Sequence, residues 1–137
     1  MSIEFIDNSD KLKALLEEAL IAGLEAAAGE IESQAASNTP VATGKLKGAW
    51  GHEVNEAEMY ALIGNTEEYA IWHEFGTGEF ASEGNGRKGG WFYEDSEGNG
   101  HFTYGVQPKR MLQNAFNTKK NTVKKIFEHE INRRLGK

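Results

Sequence analysis

Apolar residues recur at three- and four-residue steps through "SDKLKALLEEALIAGLEAAAGEIESQAAS", at Leu12, Leu15, Leu16, Ala19, Leu24, Ala27, Ala28, Ile31 and Ala35. That spacing lays them along one stripe of an amphipathic helix. Ser9 is the expected N-cap, because its hydroxyl can accept a bond from an unpaired first-turn N–H. Pro40 disfavours helical geometry in the residue before it, so the helix ends ahead of it. At about 1.5 Å per residue the helix is roughly 40 Å long. Its alanine-rich stripe lets a partner element approach closely, and its spacing is not the strict heptad of a coiled coil. Ahead of it, "SIEFI" puts Ile3 and Phe5 on one side of a short strand.

The pattern then changes period. Pro40 and Gly44 punctuate "NTPVATGKLKGAW" as a loop. In "AWGHEVN", Trp50, His52 and Val54 alternate with Gly51 and Glu53. In "MYALIGN", Met59, Ala61 and Ile63 alternate with Tyr60 and Leu62. The short "EAE" between them predicts an antiparallel hairpin. "YAIWHEFGTG" follows, with Tyr69, Trp72 and Phe75 three apart, which fits a short helical turn whose one aromatic side anchors the stretch. Gly76 and Gly78 allow the positive φ needed for a sharp exit. "WFYEDSEGNGHFTY" reads as a second hairpin with "DSEGNG" at its tip. Nine of the thirty residues from Gly76 to Gly105 are glycine, so the segment 76–90 is expected to be mobile and 90–104 to form the hairpin.

A last helix opens near "QPKRMLQNAF". Pro108 suits a first helical turn, where its missing N–H costs nothing. Leu112, Ala115, Phe116, Val123, Ile126, Phe127, Ile131 and Leu135 form the stripe, and Gly136 is the stop. The outline is α+β: a small, mainly antiparallel sheet flanked by two long helices, in one domain spanning 1–137.

Charge adds a second layer. The net charge of −6 splits into −13 over residues 1–107 and +7 over residues 108–137. Lys119, Lys120, Lys124 and Lys125 sit largely off the apolar stripe. Such a split fits a basic surface facing an acidic one or nucleic acid, or a solvated basic helix. The chain has no cysteine, which removes disulfides, thiolate nucleophiles and zinc–thiolate sites and fits a reducing compartment. The first residues lack a signal peptide's basic and apolar regions, and no apolar run approaches the roughly 20 residues that span a bilayer.

Candidate chemistry is sparse. The histidines are His52, His73, His101 and His129. No two stand at the i, i+4 spacing that lets one helix face hold zinc, and "HEFGT" is not H-E-x-x-H. No G-x-S-x-G elbow occurs, and "SEGNGRKGG" lacks phosphate-loop spacing. No metal, cofactor or small-molecule substrate is expected, and no catalytic residue. Two alternatives stay open. A nucleic-acid-binding module would use the C-terminal lysines, with Arg87, Lys88, Trp91, Phe92 and Tyr93 adding charge and stacking. A small hydrolase would be built on His73 and Glu74. Against the latter, Glu74 falls beside its turn, where it could accept bonds from nearby backbone N–H groups.

Three segments carry a family resemblance. "NTPVATGKLKGAW" resembles P-V-x-T-G-x-L-x-x-S/A, "YAIWHEFGTG" resembles Y-A-x-x-x-E-x-G-T-G, and "GVQPKRMLQNAF" resembles a motif ending P-x-x-F/M-L-x-x-A. In that order, from Ile3 to Leu135, they resemble the small tail-component family of long-tailed bacteriophages related to gene product ten of phage HK ninety-seven. The resemblance implies a virion protein of the head–tail junction, made in the cytoplasm of a bacterial host. It would assemble into a ring, with sixfold symmetry the count considered, beside neighbouring neck or tail proteins in head–tail joining or tail completion. No membrane partner is implied, and DNA would be touched only non-specifically, as it passes through the channel. It also implies structural roles for Pro40, Thr43 and Gly44 in the first loop, for Tyr69, Glu74, Gly76 and Thr77 in the second, and for Pro108 at the last helix. The chain departs from the pattern at Ala42, where an acidic residue is common, and at Trp72 and His73, where smaller apolar residues are common. Arg87, Lys88, Trp91, Tyr93, Lys119, Lys120, Lys124 and Lys125 are the expected assembly surface.

Overall fold

The structure is a computed structural model that describes residues 7–41 and 44–136. The strand expected at Ile3 and Phe5, and Thr43 of the first motif, lie outside the described residues. Helix α1 spans Ser9–Asn38, and a single turn, α2, spans Gly44–Lys47. Strands β1 (Trp50–Asn55) and β2 (Tyr60–Asn65) follow, then α3 (Ala70–Phe75) and a 3₁₀ turn at Gly78–Phe80. Strands β3 (Trp91–Glu94) and β4 (Gly100–Thr103) precede the long α4 (Met111–Leu135). The class is α+β, with long helices at both ends of the described chain. Among the described residues, no helix is long and apolar enough to cross a membrane.

The antiparallel strands form two separate hairpins rather than one sheet. In the first, Trp50 pairs with Asn65 and Asn55 with Tyr60. The predicted alternation holds: Trp50, His52, Val54, Ala61 and Ile63 are half-buried, while Glu53, Tyr60 and Leu62 are exposed. The inward face lies on α1. The second hairpin pairs Trp91 with Thr103 and Phe92 with Phe102.

Helices α1 and α4 run antiparallel in direct contact, so α4 covers α1 rather than a sheet. Ala19, Gly23, Ala27, Ala28, Ile31 and Ala35 form the buried face of α1. Small residues there let the backbones come close: at Gly23 an added Cβ would overlap the ring of Phe127. The core gathers Ile31, Ala35 and Ala115, with Trp50, Ile63, Leu112 and Val123 packed around them. The charge split is partly resolved along the same seam. Lys119 reaches Glu30 at 3.2 Å, and Arg134 lies 3.4 Å from Glu18 while also bonding Glu130.

Two ends differ from expectation. Ser9 is not the cap of α1. The cap position is Asn8, which makes no side-chain cap bond, and the Asp7 carboxylate accepts the Ser9 N–H at 2.9 Å. An ionised acceptor at a helix N-terminus outcompetes a hydroxyl. Pro108 is not in the first turn of α4. The helix starts at Met111 behind Arg110, whose φ of 50° is left-handed. The chain before it is tied to α3 instead: Lys109 N–H donates to His73 O at 2.6 Å and Arg110 N–H to Glu74 O at 3.3 Å.

Candidate functional site

The three motifs converge on one junction at the Asn38 end of α1. Its hub is Thr39, which is buried. Its hydroxyl donates to Ala35 O at 2.8 Å and accepts the Trp50 Nε1–H at 2.8 Å, with Met111 Sδ at 3.3 Å. Around it, Asn38 Nδ2 donates to Met111 O at 3.1 Å, and Lys47 Nζ donates to Ala36 O at 2.7 Å. Leu46 and Met111 are fully buried beside these bonds. The first motif therefore closes the end of α1 and fixes β1 and α4 to it. Pro40 is half-buried immediately after the helix, and Gly44 is the exposed first residue of α2. Thr39, Asn38 and Met111 were not singled out in the sequence. The signal was there only as a polar residue just before a proline, which ordinarily marks a turn.

The second motif holds α4. Glu74 is 9% exposed. Its Oε1 accepts the Leu112 N–H at 2.8 Å and its Oε2 the Gln113 N–H at 3.0 Å. A helix leaves its first N–H groups without internal partners, and a carboxylate there also meets the positive end of the helix dipole. Glu74 was expected to bond close to its own turn; it bonds instead across 38 and 39 positions of chain. The aromatic residues expected to anchor this stretch do less. Tyr69 is half-buried against His73, with ring centroids 5.8 Å apart. Trp72 and Phe75 are exposed at 57% and 44%.

The glycines of "FGTG" have a specific cause. Gly76 ends α3 at φ 77°, and an added Cβ would come within 2.7 Å of Phe80 O, 2.8 Å of Val106 O and 2.9 Å of the Pro108 ring. Thr77 N–H donates to Val106 O at 2.9 Å, and Val106 N–H donates to Thr77 Oγ1 at 2.9 Å. Glu79 N–H donates to Tyr104 O at 2.9 Å. The segment after α3 is thus zipped to the segment before α4, with Pro108 packed over Gly76.

His73 and Glu74 make no hydrogen bond to each other. Both Glu74 oxygens are engaged by α4. His73 is half-buried, its Nδ1 is buried without a hydrogen-bond partner, and burial, then nearby Lys109, lowers its pKa. A different histidine is fully engaged: His52 Nδ1 is 2.6 Å from Glu32 and Nε2 is 2.7 Å from Glu25, both on α1. Those contacts, Glu25 first and Glu32 second, raise its pKa. Among the described residues, no cluster of three or more histidine, aspartate and glutamate side chains could hold a metal ion.

The expected assembly residues fall into two places. Arg87 lies over the Trp91 ring, 5.4 Å from its centroid, and Tyr93 stacks on His101 across the second hairpin. Lys88 is exposed nearby. Lys120, Lys124 and Lys125 are exposed on α4 and make no ion pair among the described residues, whereas Lys119 is held by Glu30.

One further feature was not foreseen. Beside the junction, between α3 and the start of α4, lies an open groove of about 840 Å³. Trp50, Ile71, Phe75, Leu112 and Phe116 supply its apolar surface, and Glu67 and Glu68 line it as well. Phe116, expected on the buried stripe of α4, is 55% exposed here.

The fold and junction define a small α+β chain whose motif residues bind its own elements together. Over residues 3–76, just over half its length, it matches the family described as "Bacteriophage HK97-gp10, putative tail-component". The chain belongs to that family. The match takes in the first two motifs up to Gly76; the third, at the start of α4, lies beyond it. No match is found among curated proteins or among solved structures.

Proposed function

We propose that this chain is a structural component of the phage tail that acts by assembly, without catalysis. It forms a ring at the head–tail junction and contacts neighbouring neck or tail proteins in head–tail joining or tail completion. On this reading 1–137 is one domain and a virion component. Of the segment 76–90, the part beyond the Thr77 and Glu79 contacts becomes ordered, and the hairpin 90–104 seated, only in the assembled particle.

The second hairpin is the observation that carries the reading. Phe92 is 80% exposed, and Tyr93, Phe102 and Tyr104 are exposed around it. Among the described residues, each of its strands pairs only with the other. Two strands alone are marginal in water, so an aromatic hairpin with unpaired edges suits strand addition to a neighbour. Lys120, Lys124 and Lys125 supply the basic side of a contact with the acidic body of another copy, which sets register more than affinity.

Removing residues 80–88 tests this. The Gly89 N–H already donates to the Glu79 carboxylate at 3.2 Å, so the cut ends are close. The shortened chain should fold and yet give no tailed particles by electron microscopy of a phage carrying it. Normal infectious particles would refute the reading.

The three exposed lysines also favour a second reading, nucleic-acid binding by α4. Counterion release would make its affinity fall steeply with salt. Absence of DNA binding at low ionic strength dismisses it.

A further inference from the structure

We infer that the first turns of α1 from a second copy of this chain dock in the groove between α3 and α4, giving a head-to-tail contact. The inference rests on the self-association proposed above and supplies its surface.

Both halves of the contact are visible on the chain. Along the α1–α4 seam the facing partners run Asn38 with Met111, Glu30 with Lys119, Gly23 with Phe127 and Glu18 with Arg134. α4 stops at Leu135, so by the same register the residues from Ser9 to Ala14 project past its end. That overhang carries Leu12, 54% exposed, and Leu16 beside it is 40% exposed. They are one helical turn apart on the face that α4 covers further along, the i, i+4 spacing with which a helix fills a groove. The groove is the matching apolar surface, with Phe116, Ile71 and Phe75 all exposed.

A chain cannot close this contact on itself. The groove adjoins the Asn38 end of α1, and Leu12 lies about 40 Å away along a continuous helix at 1.5 Å per residue. A contact between unlike patches on two copies is heterologous, and it propagates into a ring when its rotation closes. Charge favours the same occupant. In the overhang Ser9–Ala14, Lys11 and Lys13 flank Leu12 and outnumber the single acid, Asp10, and the positive end of the helix dipole adds to them; neither lysine makes an ion pair among the described residues. Glu67 and Glu68 line the groove; Glu67 has only Lys45 at 3.8 Å, and Glu68 has no ion pair among the described residues.

The test is a mixing experiment on the full chain, read by sedimentation velocity over a concentration series. The wild-type chain should grow heavier with concentration. Leu12→Glu destroys the helix end and keeps the groove; Phe116→Glu does the reverse. Each variant alone should stay monomeric. An equal mixture should give a dimer and nothing larger, because only one intact helix end and one intact groove remain. Both positions are more than half exposed, and a melting temperature close to wild type establishes folding. Should either glutamate unfold the chain, Leu12→Ser and Phe116→Ser repeat the cycle. Self-association that persists in either variant, or a mixture that stays monomeric, overturns this surface and leaves the ring reading standing. A wild-type chain that stays monomeric throughout overturns both.

Discussion

Glu74 holds Leu112 across 38 positions of chain: its Oε1 accepts the Leu112 N–H at 2.8 Å, while its Oε2 takes the Gln113 N–H. Removing the carboxylate leaves two N–H groups at the start of α4 without their partner, at a site only 9% exposed. Hydrogen bonds to a charged group contribute about 1.5–3 kcal/mol each, and helix caps about 1. Glu74→Ala should therefore lose about 2–3 kcal/mol, a fall of roughly 6–12 °C in melting temperature. Glu74→Gln keeps one oxygen acceptor and should lose less. Thermal unfolding followed by circular dichroism checks both; an unchanged Glu74→Ala melting point contradicts the capping role.

Gly23→Ala sets two effects against each other. In an exposed helix the change would stabilise by about 1 kcal/mol. Here the new methyl meets the Phe127 ring, and overpacking a tight contact costs about 1–3 kcal/mol. Packing should win, giving a net loss of about 1 kcal/mol in urea unfolding. Gly23→Ala combined with Phe127→Leu should recover most of it, which a merely local backbone effect would not do.

The pH dependence has two opposed parts. His52 keeps its proton to higher pH in the folded chain than its ordinary 6.5, because Glu25 and then Glu32 bond it. Its contribution is complete below the unfolded value and is lost as pH rises through the folded one. Replacing it with glutamine should flatten the decline in stability on the alkaline side of 6.5. Urea midpoints measured at intervals from about pH 5 to pH 9 give the comparison.

His73 has the reverse sign. Burial, then the charge of Lys109, lowers its pKa below 6.5. The unfolded chain takes up the proton first, so stability is full above 6.5 and is lost as pH falls through the folded value. His73→Phe should remove that acid-side loss in the same series of urea midpoints.

Thr39→Val keeps the shape of a buried side chain and deletes its hydroxyl. The half-buried Trp50 Nε1–H then loses its acceptor, which places the cost at the lower end of the about 1–3 kcal/mol of an unsatisfied donor. Denaturant unfolding should show a loss of that size. Thr39→Ser, which keeps the oxygen, should lie closer to wild type.

Much of this fold was legible as periodicity. The three- and four-residue spacing gave α1 and α4, the two-residue alternation gave the first hairpin with its inward face, and the glycine-containing tip gave the second hairpin, which buries neither face. Glycine spacing gave the exit after α3, and Glu74 was correctly read as an acceptor of backbone bonds. What misled was the assumption that a stripe is buried along its full length. Leu12, Leu16 and Phe116 lie on correctly identified stripes and are exposed, because the α1–α4 register leaves one overhang and one groove. Likewise, the aromatic side of α3 was read as an anchor, whereas Trp72 and Phe75 face outward and the carboxylate between them is buried.

The sequence by itself determined the local elements, the position of the sharp turns and the charge imbalance, because each depends on residues a few positions apart. Only the tertiary structure decided that Glu74 caps a helix 38 positions on. It likewise decided that Thr39 joins three elements and that Thr77 pairs with Val106. Those relationships depend on which distant segments the fold brings side by side, and no local period records that pairing.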